Sequence, residues 1–256
     1  MMDPKDLEKK IKRNTGAVVI VHIGGIITPH IFEIKRICKK FKVPLIEDAA
    51  QAHGSKYKNI YAGNFGDAGA ISFFTTKVMT TGEGGMITTN SHKFYKKFYS
   101  LRQFGFTKNK LKHNKVSGNY KLNEFSALLG LIELKRLKFR IRKRNYIARL
   151  YQKNLKDSQF KLLKSSDPFY CNHYKQIIIS KIKRQKIEKI FNNNNISLTG
   201  GVYYIPLHQQ PIYKKQLKKY KLPVTDYFCK NHFCPPCYPE LNKKDIDSIS
   251  KLLLKV

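Results

Sequence analysis

The stretch that decides the fold is residues 17–48, AVVIVHIGGIITPHIFEIKRICKKFKVPLIED. Residues 17–23 form a continuous apolar run closed by Gly24 and Gly25, the pattern of a strand buried on both faces of a parallel sheet. Pro29 then opens a helical pattern, with Ile31, Ile34, Cys38 and Phe41 on one side and Lys and Arg on the other. Residues 43–46 read as a second short strand, ending in Glu47 and Asp48. Strand, helix and strand at this spacing make a βαβ unit. Asp48 then stands at the carboxyl end of a parallel strand, where open α/β sheets bind their ligands.

Working outward, residues 69–74 and 85–89 are two further strands enclosing the turn-rich stretch 75–84. The pattern turns helical from Ser91 to about Arg102, and again in a long stretch from Asn123, the N-cap, to Leu155. Its apolar positions are Phe125, Leu128, Leu129, Ile132, Leu137, Ile141, Ile147 and Leu150. Past Asp157 the character changes: strands are expected at 177–179 and 202–205, helices at 184–191 and 243–254, and a loop tip at 192–195. This predicts an α/β large domain over 1–156 and a smaller α+β domain over 157–256.

The chain has 256 residues, 41% hydrophobic and 12% aromatic, which excludes the composition of a disordered chain. No apolar run reaches the roughly 18 to 20 residues that span a bilayer. Residues 1–13 are polar and lack the apolar centre of a signal peptide, so a cytoplasmic protein with no membrane partner is expected. Fifty Lys and Arg against 17 Asp and Glu give a net charge of +33, the sign of a phosphate-backbone binder. The lysines, however, are spread along the whole chain. The densest run, residues 136–144, has apolar residues at helical spacing, so its basic side chains are expected on a solvated face. No zinc finger or RNP signature accompanies the charge, and nucleic-acid binding is not expected. The Cys234-Pro-Pro-Cys237 spacing, with Cys229 and His232 upstream, suits redox or zinc chemistry. Two prolines stiffen that loop and no second pair lies at a distance, so buried thiols and no metal are expected.

Four segments carry the chemistry: EDAAQAHG at 47–54, GDAGAISFFTTK at 66–77, TGEGG at 81–85 and GNYKLNEFSA at 118–127. With VYYIPLHQQP at 202–211 and PCYPEL at 236–241, they resemble the DegT/DnrJ/StrS family of sugar aminotransferases over the whole chain. That resemblance implies the aspartate-aminotransferase-like, type I fold and pyridoxal 5'-phosphate as cofactor. It makes Lys77 the imine-forming lysine, Asp48 the partner of the pyridine nitrogen and Gln51 the contact to the ring hydroxyl. Ser72 becomes a phosphate contact, and Asn119 a phosphate ligand given across the interface of a homodimer with shared sites. His208 matches a segment that contacts substrate, with a structural loop histidine as the other reading.

The residue chemistry agrees. Lys77 follows a buried strand, and desolvation lowers an ammonium pKa and frees the nucleophile. An ionised Asp48 would keep a ring nitrogen protonated, although a carboxylate after a strand also serves as a helix cap.

The reaction implied is transfer of an amino group from a donor, glutamate in most of the family, to a keto group of a nucleotide-linked sugar, for polysaccharide or amino-sugar synthesis. Relatives that remove a hydroxyl instead carry His where Lys77 stands, so the lysine favours the aminotransferase. Lys121 stands where the family has Arg, losing the bidentate fork, and Phe104 replaces a common His. By resemblance the chain begins inside the large domain and is amino-terminally truncated, lacking a Ser-Gly-Thr phosphate turn and a stacking aromatic residue. Two readings stay open, an active aminotransferase and a fragment inactive without its missing part, with a basic nucleic-acid-binding protein far behind both.

Overall fold

The computed structural model describes residues 1–106, 112–217 and 220–256. Helix α1 (Pro4–Lys10) starts at Asp3, whose carboxylate accepts from the N–H groups of Lys5 and Asp6, with Pro4 in the first turn. The βαβ unit follows as β1 (Val18–Val21), α2 (Ile31–Lys40) and β2 (Leu45–Asp48). β1 and β2 are parallel, with Val18 opposite Leu45 and Val21 opposite Asp48. Val18, Ile20, Ile31, Ile34, Cys38 and Leu45 share one core with Ala49 and Phe65. Each fully buried aliphatic side chain there contributes roughly 1.5–3 kcal/mol.

Two details depart from the sequence pattern. Val18 and Ile20 are buried in this core, whereas Val19, on the other face of β1, is 53% exposed, so the strand is not covered on both sides. Phe41 is the C-cap of α2 and is exposed, and Ile37 is buried instead.

A short hairpin, β3 (Lys56–Tyr57) and β4 (Ile60–Tyr61), leads to β5 (Ala68–Ser72), which runs parallel to β2 with Asp48 opposite Ala70. β6 (Gly85–Thr88) closes the sheet antiparallel to β5, giving the order β1-β2-β5-β6. Gly69 is required inside β5, because a Cβ there would lie 2.4 Å from the Gly63 Cα. Helix α3 (His92–Arg102) is capped by Ser91, and the long α4 (Glu124–Asn154) by Asn123, whose side chain accepts from Ser126 N–H at 2.9 Å. After α4 come β7 (Lys161–Leu162) and β8 (Phe169–Tyr170), the latter pairing with β3.

The chain divides into two compact units, Met1–Ile141 with Ser165–Asn172, and Arg142–Lys164 with His173–Val256. The cut falls inside α4 rather than at residue 156. A continuous helix shows no change of composition where its two halves serve different cores.

The second unit adds β9 (Ile178–Ile179), α5 (Arg184–Asn193), α6 (Pro211–Leu217), α7 (Pro223–Asn231), β10 (His232–Phe233) and α8 (Lys243–Leu254). Its sheet has the order β10-β9-β7, and its core joins Ile147, Tyr151, Phe160, Ile178, Phe191, Phe233 and Ile249. α8 begins with a capping box between Asn242 and Asp245. The strand expected at 202–205 does not form: Val202 N–H donates to His232 Nε2 at 2.9 Å rather than to a neighbouring strand.

In the basic run, Arg136, Lys138, Arg142 and Lys143 are exposed, but Arg144 is buried and its guanidinium donates to the carbonyls of His173, Tyr174 and Cys237. All five cysteines are buried, and burial pushes the Cys234 and Cys237 thiols up to about 12 and about 11. Among the described residues no helix is long and apolar enough to cross a membrane.

Candidate active site

β2 ends in two successive carboxylates, which the alternation of a strand sends to opposite faces. Glu47 points inward and is fully buried. It lies 2.9 Å from His22 Nε2 and accepts from the N–H groups of Gly63, Phe65 and Gly66 at 2.7, 2.6 and 2.6 Å. Burial alone would push its carboxyl up, but the His22 hydrogen bond and the Gly66 and Gly63 amides together hold it below the usual carboxylate range. Sequence reading gave Glu47 no role. The signal was its place two residues after Leu45, on the buried face of β2.

Asp48 takes the other face. Its Oδ1 accepts from Ala50 N–H at 3.1 Å, a turn that fixes the carboxylate just past the strand end. Lys77 lies after β5, where its N–H donates to Phe74 O at 3.0 Å. Burial pushes the Lys77 ammonium below its ordinary value, and the Asp48 charge opposes that shift. Ser72, the last residue of β5, accepts through Oγ from Phe74 N–H at 3.3 Å. His53 Nε2 sits 2.7 Å from Ser72 O, and burial, with the Lys77 charge as a smaller cause, brings the His53 pKa down to about 4. Asp48, His53, Ser72 and Lys77 therefore gather at the carboxyl ends of β2 and β5.

Gln51 joins this group through its backbone and spends its amide oxygen on Gly24 N–H at 2.7 Å, which leaves the NH2 end for other partners. Asn119 is exposed, sits in an isolated bridge with Gln103 and accepts from Lys121 N–H at 3.3 Å, so its contacts here are local. Lys121 is likewise exposed, and Phe104 adopts a positive φ of 56°. In the second unit, His208 Nε2 lies 3.0 Å from Asp226 Oδ1, which also accepts from Gln209 Nε2 at 2.8 Å. A hollow lined by Phe104 and residues 113–117 contains none of Asp48, Gln51, Ser72, Lys77, Asn119 and His208.

A profile of the DegT/DnrJ/EryC1/StrS aminotransferase family matches residues 1–254. The chain belongs to this family. It is 30% identical over 264 residues to the UDP-4-amino-4,6-dideoxy-N-acetyl-beta-L-altrosamine transaminase of Campylobacter jejuni, covering 100% of this chain and 70% of that protein. It is 30% identical over 251 residues to the GDP-perosamine synthase of Escherichia coli, covering 96% of this chain and 66% of the synthase. Among solved structures it matches Helicobacter pylori PseC, an aminotransferase involved in the biosynthesis of pseudoaminic acid, with a TM-score of 0.90 and 27% identity. That match covers 99% of this chain and 70% of PseC. The chain thus has the α/β aminotransferase fold and spans about 70% of the length of such relatives.

The aminotransferase family uses pyridoxal phosphate, and the side chains at the ends of β2 and β5 fit what that group requires of a protein. They supply a partly desolvated amine in Lys77, a carboxylate of opposite charge in Asp48 and a hydroxyl in Ser72. His53 Nδ1, buried and without a hydrogen-bond partner, adds an unused polar atom beside them.

Proposed function

We propose that this chain acts as a pyridoxal-phosphate-dependent aminotransferase that converts a keto group of a nucleotide-linked sugar to an amine, with an amino acid, glutamate, as donor. The observation that carries this reading is the Lys77 amine, held below its ordinary pKa by burial and set within electrostatic reach of the Asp48 carboxylate. The names of the C. jejuni transaminase and the E. coli synthase, both of nucleotide sugars, support the substrate class.

When bound, pyridoxal phosphate supplies an electron sink for the pair left behind as a proton leaves the substrate carbon. Lys77 is the residue that would hold it covalently, and the lowered pKa favours the unprotonated Nζ that this needs. With its amine free, Lys77 Nζ would move the proton between the substrate carbon and the cofactor, as general base and then general acid. Asp48 would keep a proton on the ring nitrogen, Gln51 would offer its NH2 end to the ring hydroxyl, Ser72 would donate to the phosphate, and His208 would contact the sugar substrate. No residue of this set serves a metal.

A homodimer is part of the same reading, with Asn119 of one copy reaching the phosphate held by the other. The exposed Phe125, Leu128, Leu129 and Ile132 on the first half of α4 support it, since they offer an apolar face in the same unit as Asn119. A net charge of +33 also favours attraction of a nucleotide diphosphate.

The test is to add pyridoxal phosphate to the chain and look for a visible absorbance band that borohydride reduction fixes covalently on the Lys77 peptide. Glutamate should discharge the band, and Lys77→Ala should never show it. A wild-type chain with no band would overturn the enzyme reading.

A further inference from the structure

The ladder between β2 and β5 stops at Asp48 opposite Ala70, with Ala49 N–H donating to Ala70 O at 2.9 Å. Past that point one strand continues through Gln51 to His53 and the other through Ser72 to Lys77. Parting strands make the crevice that a ligand needs, but they also leave Ser72 without ladder bonds on its β2 side.

His53 rejoins the two segments through its Nε2, 2.7 Å from Ser72 O. A carbonyl only accepts, so Nε2 carries a proton, and with a pKa of about 4 the ring is neutral near pH 7 with a lone pair on Nδ1. His53 is 5% exposed, and Nδ1 has no hydrogen-bond partner. On its other side the segment is held by Asn172, which is fully buried and follows β8. Asn172 Nδ2 donates to the carbonyls of Gln51 and His53, both at 3.0 Å. Asn172 N–H donates to Ser55 Oγ at 3.0 Å, and that hydroxyl donates to Gly25 O at 2.7 Å. One side chain from a distant part of the sequence thereby fixes both residues that flank Ala52.

We propose that His53, anchored by Asn172, is a positioning residue for the transamination. It ties Ser72, and with it the turn leading to Lys77, to the segment carrying Asp48 and Gln51, and so keeps the Lys77 amine seated beside the Asp48 carboxylate. This rests on the role given to Lys77 above. Asp48, from the end of β2, bears on Lys77 by its charge, and so would a protonated His53, but with a pKa of about 4 that ring is neutral near pH 7. His53 therefore acts by hydrogen bonding and not by its own charge at neutral pH.

The experiment uses the full chain without cofactor and reads the pH dependence of Lys77 acetylation by acetic anhydride, peptide by peptide, with exposed lysines of the same molecule as internal references. In the wild type the Lys77 midpoint lies below those references. In His53→Leu it should rise toward them. His53→Gln, whose amide can still donate to Ser72 O, should keep most of the depression, and Asn172→Ala should lose part of it. A merely space-filling histidine would give no such order, with Leu tolerated as well as Gln.

Equal midpoints in the wild type and His53→Leu overturn the proposal, as does a His53→Gln midpoint as high as that of the leucine variant. Should His53→Leu fail to fold, Asn172→Ala decides: a raised midpoint upholds the proposal and an unchanged one overturns it. Since no cofactor enters the measurement, these results stand apart from the absorbance test of the aminotransferase reading.

Discussion

His22 Nε2 and Glu47 Oε2 meet at 2.9 Å with both side chains fully enclosed, and three backbone amides of the turn 63–66 close on the same carboxylate. This pair locks β1, β2 and that turn together on the face opposite Asp48. Register follows from it, because a slip of one residue would exchange the two carboxylates between core and crevice.

Glu47→Gln should therefore destabilise the first unit by about 3 kcal/mol or more, since an amide NH2 would be forced against backbone N–H donors and His22 would lose its acceptor. Urea denaturation followed by a probe in that unit measures the loss. A change below about 0.5 kcal/mol would show that the pair is not a structural lock.

Acid should weaken the fold in two stages. His53 and His173 are buried, the latter also facing the charges of Arg144 and Arg149, and both fall from 6.5 to about 4. A depressed histidine resists protonation in the folded chain while the unfolded chain accepts the proton. The stability it contributes is complete above pH 6.5 and drains as pH falls toward 4. Each site accounts for about 3 kcal/mol at most. The lowered carboxyl of Glu47 gives the second stage, its stabilisation being lost as pH drops through and below the ordinary glutamate range. Stability measured at intervals from pH 7 to about pH 3 should decline throughout, and His53→Gln should flatten the upper part of the curve.

Gly25→Ala should cost about 2–4 kcal/mol. Gly25 has φ +90°, and a Cβ there would lie 1.8 Å from Asn172 Oδ1, the side chain that holds the Gln51 and His53 carbonyls. Gly82→Ala, also at positive φ but with nothing within 4 Å, should show backbone strain alone and lose less. Comparing the two thermal midpoints separates the clash from the strain.

Asp48→Asn should lower the pH midpoint of Lys77 acetylation, because the carboxylate is what raises the ammonium against the effect of burial. A midpoint that does not move would mean that the two groups are not electrostatically linked.

The βαβ unit was legible because its apolar run, its 3.6-residue helix pattern and its Gly and Pro punctuation all act locally. Lys77 and Asp48 were singled out through motifs that resemble a family. Asn172 was not, since its partners Gln51 and His53 lie 121 and 119 residues away and an isolated asparagine after a short strand carries no local signal. Arg144 deceived for a related reason: its sequence neighbours are solvated, whereas the carbonyls of His173, Tyr174 and Cys237, distant in sequence, help to seat its guanidinium in a dry site. The segment 202–205 reads as a strand because Val, Tyr and Ile favour one, but His232 takes the Val202 amide that a ladder would need.

The buried thiols give the molecule a built-in clock. Cys38 and Cys171 belong to one unit and Cys229, Cys234 and Cys237 to the other, all shielded from solvent. An alkylating reagent can reach each set only when its own unit opens, so the two labelling rates time two separate breathing motions in a single wild-type sample.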